Sequence, residues 1–158
     1  MRKYTFIVWV IALLLSFYTQ AQTLDQNRTK IAQKFVKDLF SESVSDKQIA
    51  GKYMYFHSPS TMTRDTMFRN MVEVIREQKG PSFTQLNEKY KIVPYKEASG
   101  YEEVEQFNNS DAEDDVYVVT SGKKAYLYIH FDKEQKERVI SFITIKKGRN
   151  EPSIFFAL

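Results

Sequence analysis

The chain has no cysteine in its 158 residues. That excludes disulfides, structural thiolate zinc and thiol nucleophiles, and it leaves no sulfur at the processing site to carry a lipid. Glycine is scarce, at five residues, and no P-loop, dinucleotide glycine pattern or G-x-S-x-G elbow occurs, so phosphate-cradling loops are not expected. H-E-x-x-H is absent too, and the only histidines are His57 and His130. An excess of one charge is also missing, with 23 Lys and Arg against 20 Asp and Glu. The one tryptophan, Trp9, lies close to the N-terminus.

What is present begins with an export pattern. Arg2 and Lys3 precede an unbroken apolar run, Phe6–Leu15, and no further charge appears before Asp25. A polar stretch then leads to Thr19-Gln20-Ala21, with small residues at the two positions a signal peptidase inspects. This order predicts a cleavable secretory signal over residues 1–21. The dense apolar run is about half of the roughly 20 residues a spanning helix needs, so a cleaved signal is expected rather than an anchor. The product would be periplasmic or secreted, with no membrane attachment after cleavage. Losing Arg2 and Lys3 takes the net charge from +3 to +1. A near-neutral domain lacks the concentrated positive face that nucleic acid requires. Residues 22–158 have the size of a single domain, which must be held by core burial alone.

Two periodicities divide that domain. From Leu24 to Phe40, Ile31, Phe35 and Leu39 recur every four residues beside Ala32, Val36 and Phe40, the stripe of a helix packed on a core. Ser45-Asp46-Lys47-Gln48 has the spacing of a capping box and predicts a short helix over Ser45–Phe56. His57-Ser58-Pro59-Ser60 ends it. A third helix is expected over Thr61–Lys79, with Phe68, Met71, Val72 and Ile75 on one face and Gly80-Pro81 as its stop. After Pro81 the period becomes two. Strands are expected at Lys89–Lys96, where Pro94 favours an edge, and at Val116–Thr120, Ala125–Phe131, Arg138–Lys146 and Ser153–Leu158. Glu97–Asp115 reads as a long acidic loop with a short strand around Tyr101–Phe107. Short polar turns between strands predict an antiparallel meander.

Helices first and strands after predict an α+β fold. This order and length, carried by Ile31–Phe40, Ser45–Phe56, Thr61–Lys79 and the four strands from Val116 to Leu158, resemble the NTF2-like (cystatin-like) superfamily. The resemblance implies N-terminal helices packed on a strongly curved antiparallel sheet, forming a cone that often encloses a pocket. Some members of that superfamily are isomerases or dehydratases, and many are non-catalytic binding domains. Its isomerases use an acidic base with a tyrosine and a second acid, and no acid of this chain matches that pattern residue by residue.

Candidate site residues come from the aromatic and imidazole side chains. Alternation places Tyr126, Tyr128 and His130 on one face of a strand, opposite Leu127, Ile129 and Phe131, and Tyr55 and His57 follow the second helix. Together Tyr55, His57, Tyr126, Tyr128 and His130 are the expected lining of a ligand pocket, in which a histidine would titrate near neutral pH. The weightier expectation is plainer: His130 on a half-buried sheet face and His57 at a helix end, with no carboxylate placed by spacing to orient either ring. The run Asp111–Asp115 lacks the spacing of a calcium loop and reads as solvated, as do Asp38 and Glu73. No metal and no cofactor are expected. The functional expectation is non-catalytic binding of a small apolar ligand or a protein partner through the sheet face. The alternatives are a small cofactor-free isomerase or hydrolase using pocket tyrosine and histidine, and a structural or homodimeric envelope protein.

Overall fold

The computed structural model describes residues 22–59, 61–86, 89–107, 114–146, 148 and 151–158. The expected signal over 1–21, Ser60, Asp111 and Glu113 of the acidic run and the Arg149-Asn150 part of the last turn lie outside the described residues.

Helix α1 covers residues 22–39 and buries the expected stripe, with Ala32, Phe35, Val36 and Leu39 completely enclosed. Arg28 occupies the same stripe one turn earlier and is 2% exposed. Helix α2, Asp46–Tyr53, starts at the predicted capping box: Ser45 Oγ accepts from the Gln48 amide at 3.3 Å, and Gln48 Oε1 accepts from the Ser45 amide at 2.9 Å. It ends three residues before Phe56. Met54 forms an isolated parallel bridge with Val139, and the Tyr55 amide donates to Val139 O at 2.8 Å. Pairing with a strand replaces the last helical turn.

Helix α3, Met62–Leu86, passes straight through the predicted stop at Gly80-Pro81. Proline removes one ladder hydrogen bond and crowds the preceding turn, yet the next turn is held by packing. Phe83 stacks on Phe40 at 4.3 Å and meets Tyr90 at 5.2 Å, so burying this ring outweighs the local breaker. Thr84 Oγ1 and the Tyr126 hydroxyl donate to the carbonyls of Gly80 and Lys79. Further back on α3, Arg76 donates to Leu39 O, Ser41 O and Val44 O at 2.6–2.9 Å. One α3 side chain thereby satisfies carbonyls that the end of α1 leaves open.

The strands are β1 (Tyr90–Pro94), β2 (Val116–Ser121), β3 (Lys124–Phe131), β4 (Val139–Ser141), β5 (Thr144–Lys146) and β6 (Ser153–Phe155). The first four form an antiparallel meander in the order β1-β2-β3-β4. Pro94 closes an edge strand, as its missing N–H requires. The β2–β3 turn uses Gly122 at φ 59°, a left-handed conformation open to glycine at little cost.

The curved sheet implied by the NTF2-like resemblance does not form. The sheet is neither curved nor closed: its four strands lie in simple order, and β5 and β6 pair with each other in a separate two-stranded sheet. The expected long strand Arg138–Lys146 breaks at Phe142-Ile143. Phe142 turns into the core, 5.3 Å from Phe35 and 6.2 Å from Phe68 by ring centroid, while Ser141 Oγ donates to Phe156 O at 2.6 Å. Contact with two helices outweighs the β-branched run on either side. The expected strand near Tyr101–Phe107 reduces to bridges from Glu102 to Lys124 and from Phe107 to Ser153, after a 3-10 turn at Tyr95–Gly100.

Two apolar clusters sandwich the sheet. The larger joins all three helices to Tyr117, Val119, Leu127, Ile129, Phe131 and Phe142. The smaller, on the opposite face, is built on Val116, Val118 and Tyr128 and covered by Ala98, Tyr95, Phe107 and Phe155. All of Val116–Thr120 is consequently buried. The second cover of the sheet is the chain's own 95–107 segment and β6.

Candidate functional site

The central feature of the site is a β-bulge. Val119 pairs with Leu127 but Thr120 pairs with Ala125, so Tyr126 is an extra residue on β3. An inserted residue breaks strict alternation. Tyr126 therefore joins the helix-side cluster beside Phe40 and Phe83, whereas Tyr128 belongs to the opposite face, 5.2 Å from Phe107. The face predicted from Tyr126, Tyr128 and His130 is not a single face.

The bulge is pinned to α3 from both directions. Lys79 Nζ donates to Tyr126 O at 2.6 Å and lies 5.1 Å from the centre of the Tyr126 ring, while the Tyr126 hydroxyl donates back to Lys79 O. Burial pushes the Lys79 amine below the usual lysine range, and the charge of Glu105 pulls it partly back. Burial also raises the Tyr126 phenol and pushes Tyr128 up to about 12. Both phenols are thus protonated at neutral pH, and each keeps a hydroxyl hydrogen to donate, Tyr126 to Lys79 O and Tyr128 to Glu103 O. Tyr128 Oη accepts from the Glu105 amide at 2.7 Å.

Around this junction lies a cleft of about 510 Å3. Its apolar wall includes Val74, Ile75 and Ile143, and its polar groups include Lys79, Glu105, Tyr126 and Tyr128. Lys79 and Lys146 face two acids, Glu103 and Glu105, so the lining is balanced in charge. Among the described residues, Glu105 Oε2 is enclosed without a hydrogen-bond partner, an uncommon and costly condition for a carboxylate oxygen.

The other expected site residues lie elsewhere. His57 is 59% exposed by side chain, with Nε2 at 3.4 Å from Asp132 Oδ2 and the Tyr55 ring edge-on at 5.1 Å. Asp132 is itself buried, and its Oδ1 accepts from the amides of Glu134 and Gln135. The fold thus supplies a carboxylate to His57 that spacing along the chain did not. His130 is half-buried with its ring 4.6 Å from Phe155, and its Nδ1 has no partner among the described residues. Burial lowers its pKa, with Asp115 and Asp132 opposing, so the ring is neutral at pH 7. Neither histidine lines the cleft that holds Tyr126 and Tyr128. Asp38 also departs from the solvated reading, because Lys52 and the Tyr53 hydroxyl donate to its Oδ2 at 2.8 and 2.6 Å and hold its carboxyl below the usual range.

Lys79, Glu105, Asp132 and Arg28 escaped the reading of the sequence. Two of them carried a signal. Lys79 follows Ile75 by four residues on the α3 stripe, and Arg28 precedes Ala32 by four on the α1 stripe. A cation at a core-facing helical position is a flag for a buried, partnered charge. Glu105 and Asp132 sit in loops, where no periodicity marks them.

Among the described residues, no group of three His, Asp or Glu is placed to hold a metal ion, and no helix is long and apolar enough to cross a membrane. In comparisons with known proteins, the chain matches no family model, no curated protein and no solved structure.

Proposed function

We propose that this chain is an exported, non-catalytic binding domain whose cleft between α3 and the β3 bulge takes a small, largely apolar molecule of no net charge. Export rests on the pattern of residues 1–21. The binding reading rests chiefly on Glu105, whose carboxylate oxygen is enclosed without a partner among the described residues, in the wall of a cleft that also holds Lys79. A half-buried lysine and a half-buried carboxylate with an unpartnered oxygen, beside apolar walls, are where a ligand's own donor and acceptor would complete the hydrogen bonding. The balance of two lysines and two glutamates favours a neutral or zwitterionic ligand over an ion. The cofactor-free enzyme reading would need histidine and tyrosine on one wall, and the two histidines lie outside this cleft.

Native mass spectrometry of the protein purified from its source cells tests the reading. An adduct of small mass is expected, with its occupancy reduced in Glu105→Gln and abolished in Val74→Asp, which puts a charge on the exposed rim of the apolar wall. Bare wild-type protein, or an adduct indifferent to both substitutions, would end it. N-terminal sequencing of the same material should begin at Gln22; an intact Met1 in a cytoplasmic fraction would end the export part.

A further inference from the structure

A second cavity, of about 740 Å3, lies between α2, the Met54–Phe56 segment and the first two turns of α3. Its volume falls within the range of about 300–1,000 Å3 typical of ligand sites. Its apolar lining is made by Met54 and Phe68, which belong to the core, by half-buried Phe56, and by Met62, which is 84% exposed. An exposed methionine on the rim of a cavity that core side chains also line offers an adaptable apolar surface.

Its charges are unbalanced, unlike those of the first cleft. Among the described lining residues, Lys47, Arg64, Arg69 and Arg138 stand against two acids, Asp46 and Asp65. Arg64 is spent on Asp65, with Nε and Nη2 at 3.0 and 2.7 Å from Oδ1, and its guanidinium lies over the Phe56 ring at 4.3 Å. Arg69 reaches Asp46 only at 3.5 Å and is largely exposed. Arg138 is anchored by Nη1 alone, on Lys52 O at 2.7 Å and Gly51 O at 3.2 Å. A planar guanidinium carries five donors in a fork matched to a carboxylate, so an anchored Arg138 with donors in reserve is already oriented for an anion. Two carboxylates against four cations leave the cavity attractive to negative charge.

We propose that this groove binds a free single-chain amphiphile with one anionic head group, a long-chain carboxylate, its chain on Met54, Phe56, Met62 and Phe68 and its head on Arg138 and Arg69. Charge complementarity selects the head, and the apolar side chains of the lining select the chain.

Calorimetric titration of the full chain with dodecanoate below its micelle concentration tests this. Saturable one-to-one binding is expected, with dodecanol and dodecyltrimethylammonium each weaker by about tenfold or more, the loss of one charge-assisted contact. Arg138→Gln should weaken dodecanoate by a similar factor. Because Arg138 also holds α2, the exposed substitutions Arg69→Gln and Met62→Asp keep the test independent of folding, and each should weaken binding severalfold with an unchanged melting temperature. Val74→Asp, in the other cleft, should have no effect. Equal binding of dodecanol, binding only to anionic vesicles, indifference to Arg69→Gln and Met62→Asp, or loss in Val74→Asp would each overturn the assignment.

Discussion

Arg28→Met should be among the most damaging single substitutions in the protein. The guanidinium donates to Lys136 O at 2.7 Å, to Asp115 Oδ1 at 2.7 Å and to Asp132 O at 3.3 Å, and it lies 5.3 Å from the Phe131 ring centre. It thereby ties α1 to the start of β2 and the end of β3. Methionine keeps most of the stem and removes every donor. Breaking a buried ion pair by removing one partner costs about 3–5 kcal/mol, mainly by stranding the other charge. Asp115 retains some solvent access, its side chain being 14% exposed, and Lys136 lies in an exposed loop where water can replace the lost donor. The lower end, about 3 kcal/mol, is therefore expected. For a domain of this size that corresponds to a melting temperature lower by roughly 10 °C. Thermal and urea unfolding followed by circular dichroism would measure it, with an unchanged urea slope reporting an unaltered native state. Asp115→Asn supplies the control: if the pair is coupled, the double variant should lose less than the sum of the two singles by about 1–2 kcal/mol. A fall of under about 3 °C for Arg28→Met, or strict additivity, would refute the view that a buried charge clamps the helix to the sheet.

Ser45→Ala should cost about 1 kcal/mol by removing the capping hydroxyl of α2, and an unchanged melting temperature would contradict the cap. Gly51→Ala should instead stabilise by about 0.5–1 kcal/mol, because Gly51 lies inside α2 and an added Cβ there meets nothing within 4 Å; a loss of stability would contradict the helical conformation of residue 51. His130 predicts a pH dependence. Its folded pKa is depressed by burial, so the unfolded chain binds the proton more readily, and stability should fall as pH drops below about 6.5, the ordinary histidine value. Asp115, Asp132 and Arg28 also act on this ring, so the comparison is with His130→Phe at matched pH. A slope as steep in that variant as in the parent between pH 6.5 and 5 would dispose of the assignment.

The helical half could be read residue by residue because a helix buries one face of a local repeat. Ala32, Phe35, Val36 and Leu39 are all enclosed as their spacing requires, and Ser45 and Gln48 meet because the capping box spans only four residues. The errors fall where a distant partner overrides a local preference. Pro81 fails to stop α3 because Phe83 finds Phe40 and Tyr90. The 138–146 run fails as one strand because Phe142 finds Phe35 and Phe68. The expected pocket fails as a unit because His57 and Tyr55 lie beside Asp132 and His130 packs on Phe155, away from the cleft that Tyr126 and Tyr128 share. Of its five expected residues, the fold brings two to one cleft and places Tyr55 beside His57 elsewhere.

The sequence by itself determined the α+β class, the three helices and their buried stripes, the antiparallel order of the main strands and the absence of thiol chemistry. These follow from local periodicity and composition, which any conformation of the chain must satisfy. Only the tertiary structure decided that the sheet is open and uncurved, that Asp132 stands beside His57, that Arg28 is buried and partnered, and that Lys79 and Glu105 share a cleft. Those outcomes depend on burial and pairing between segments tens of residues apart. Such energies belong to the packed molecule, so no local pattern in the chain records them.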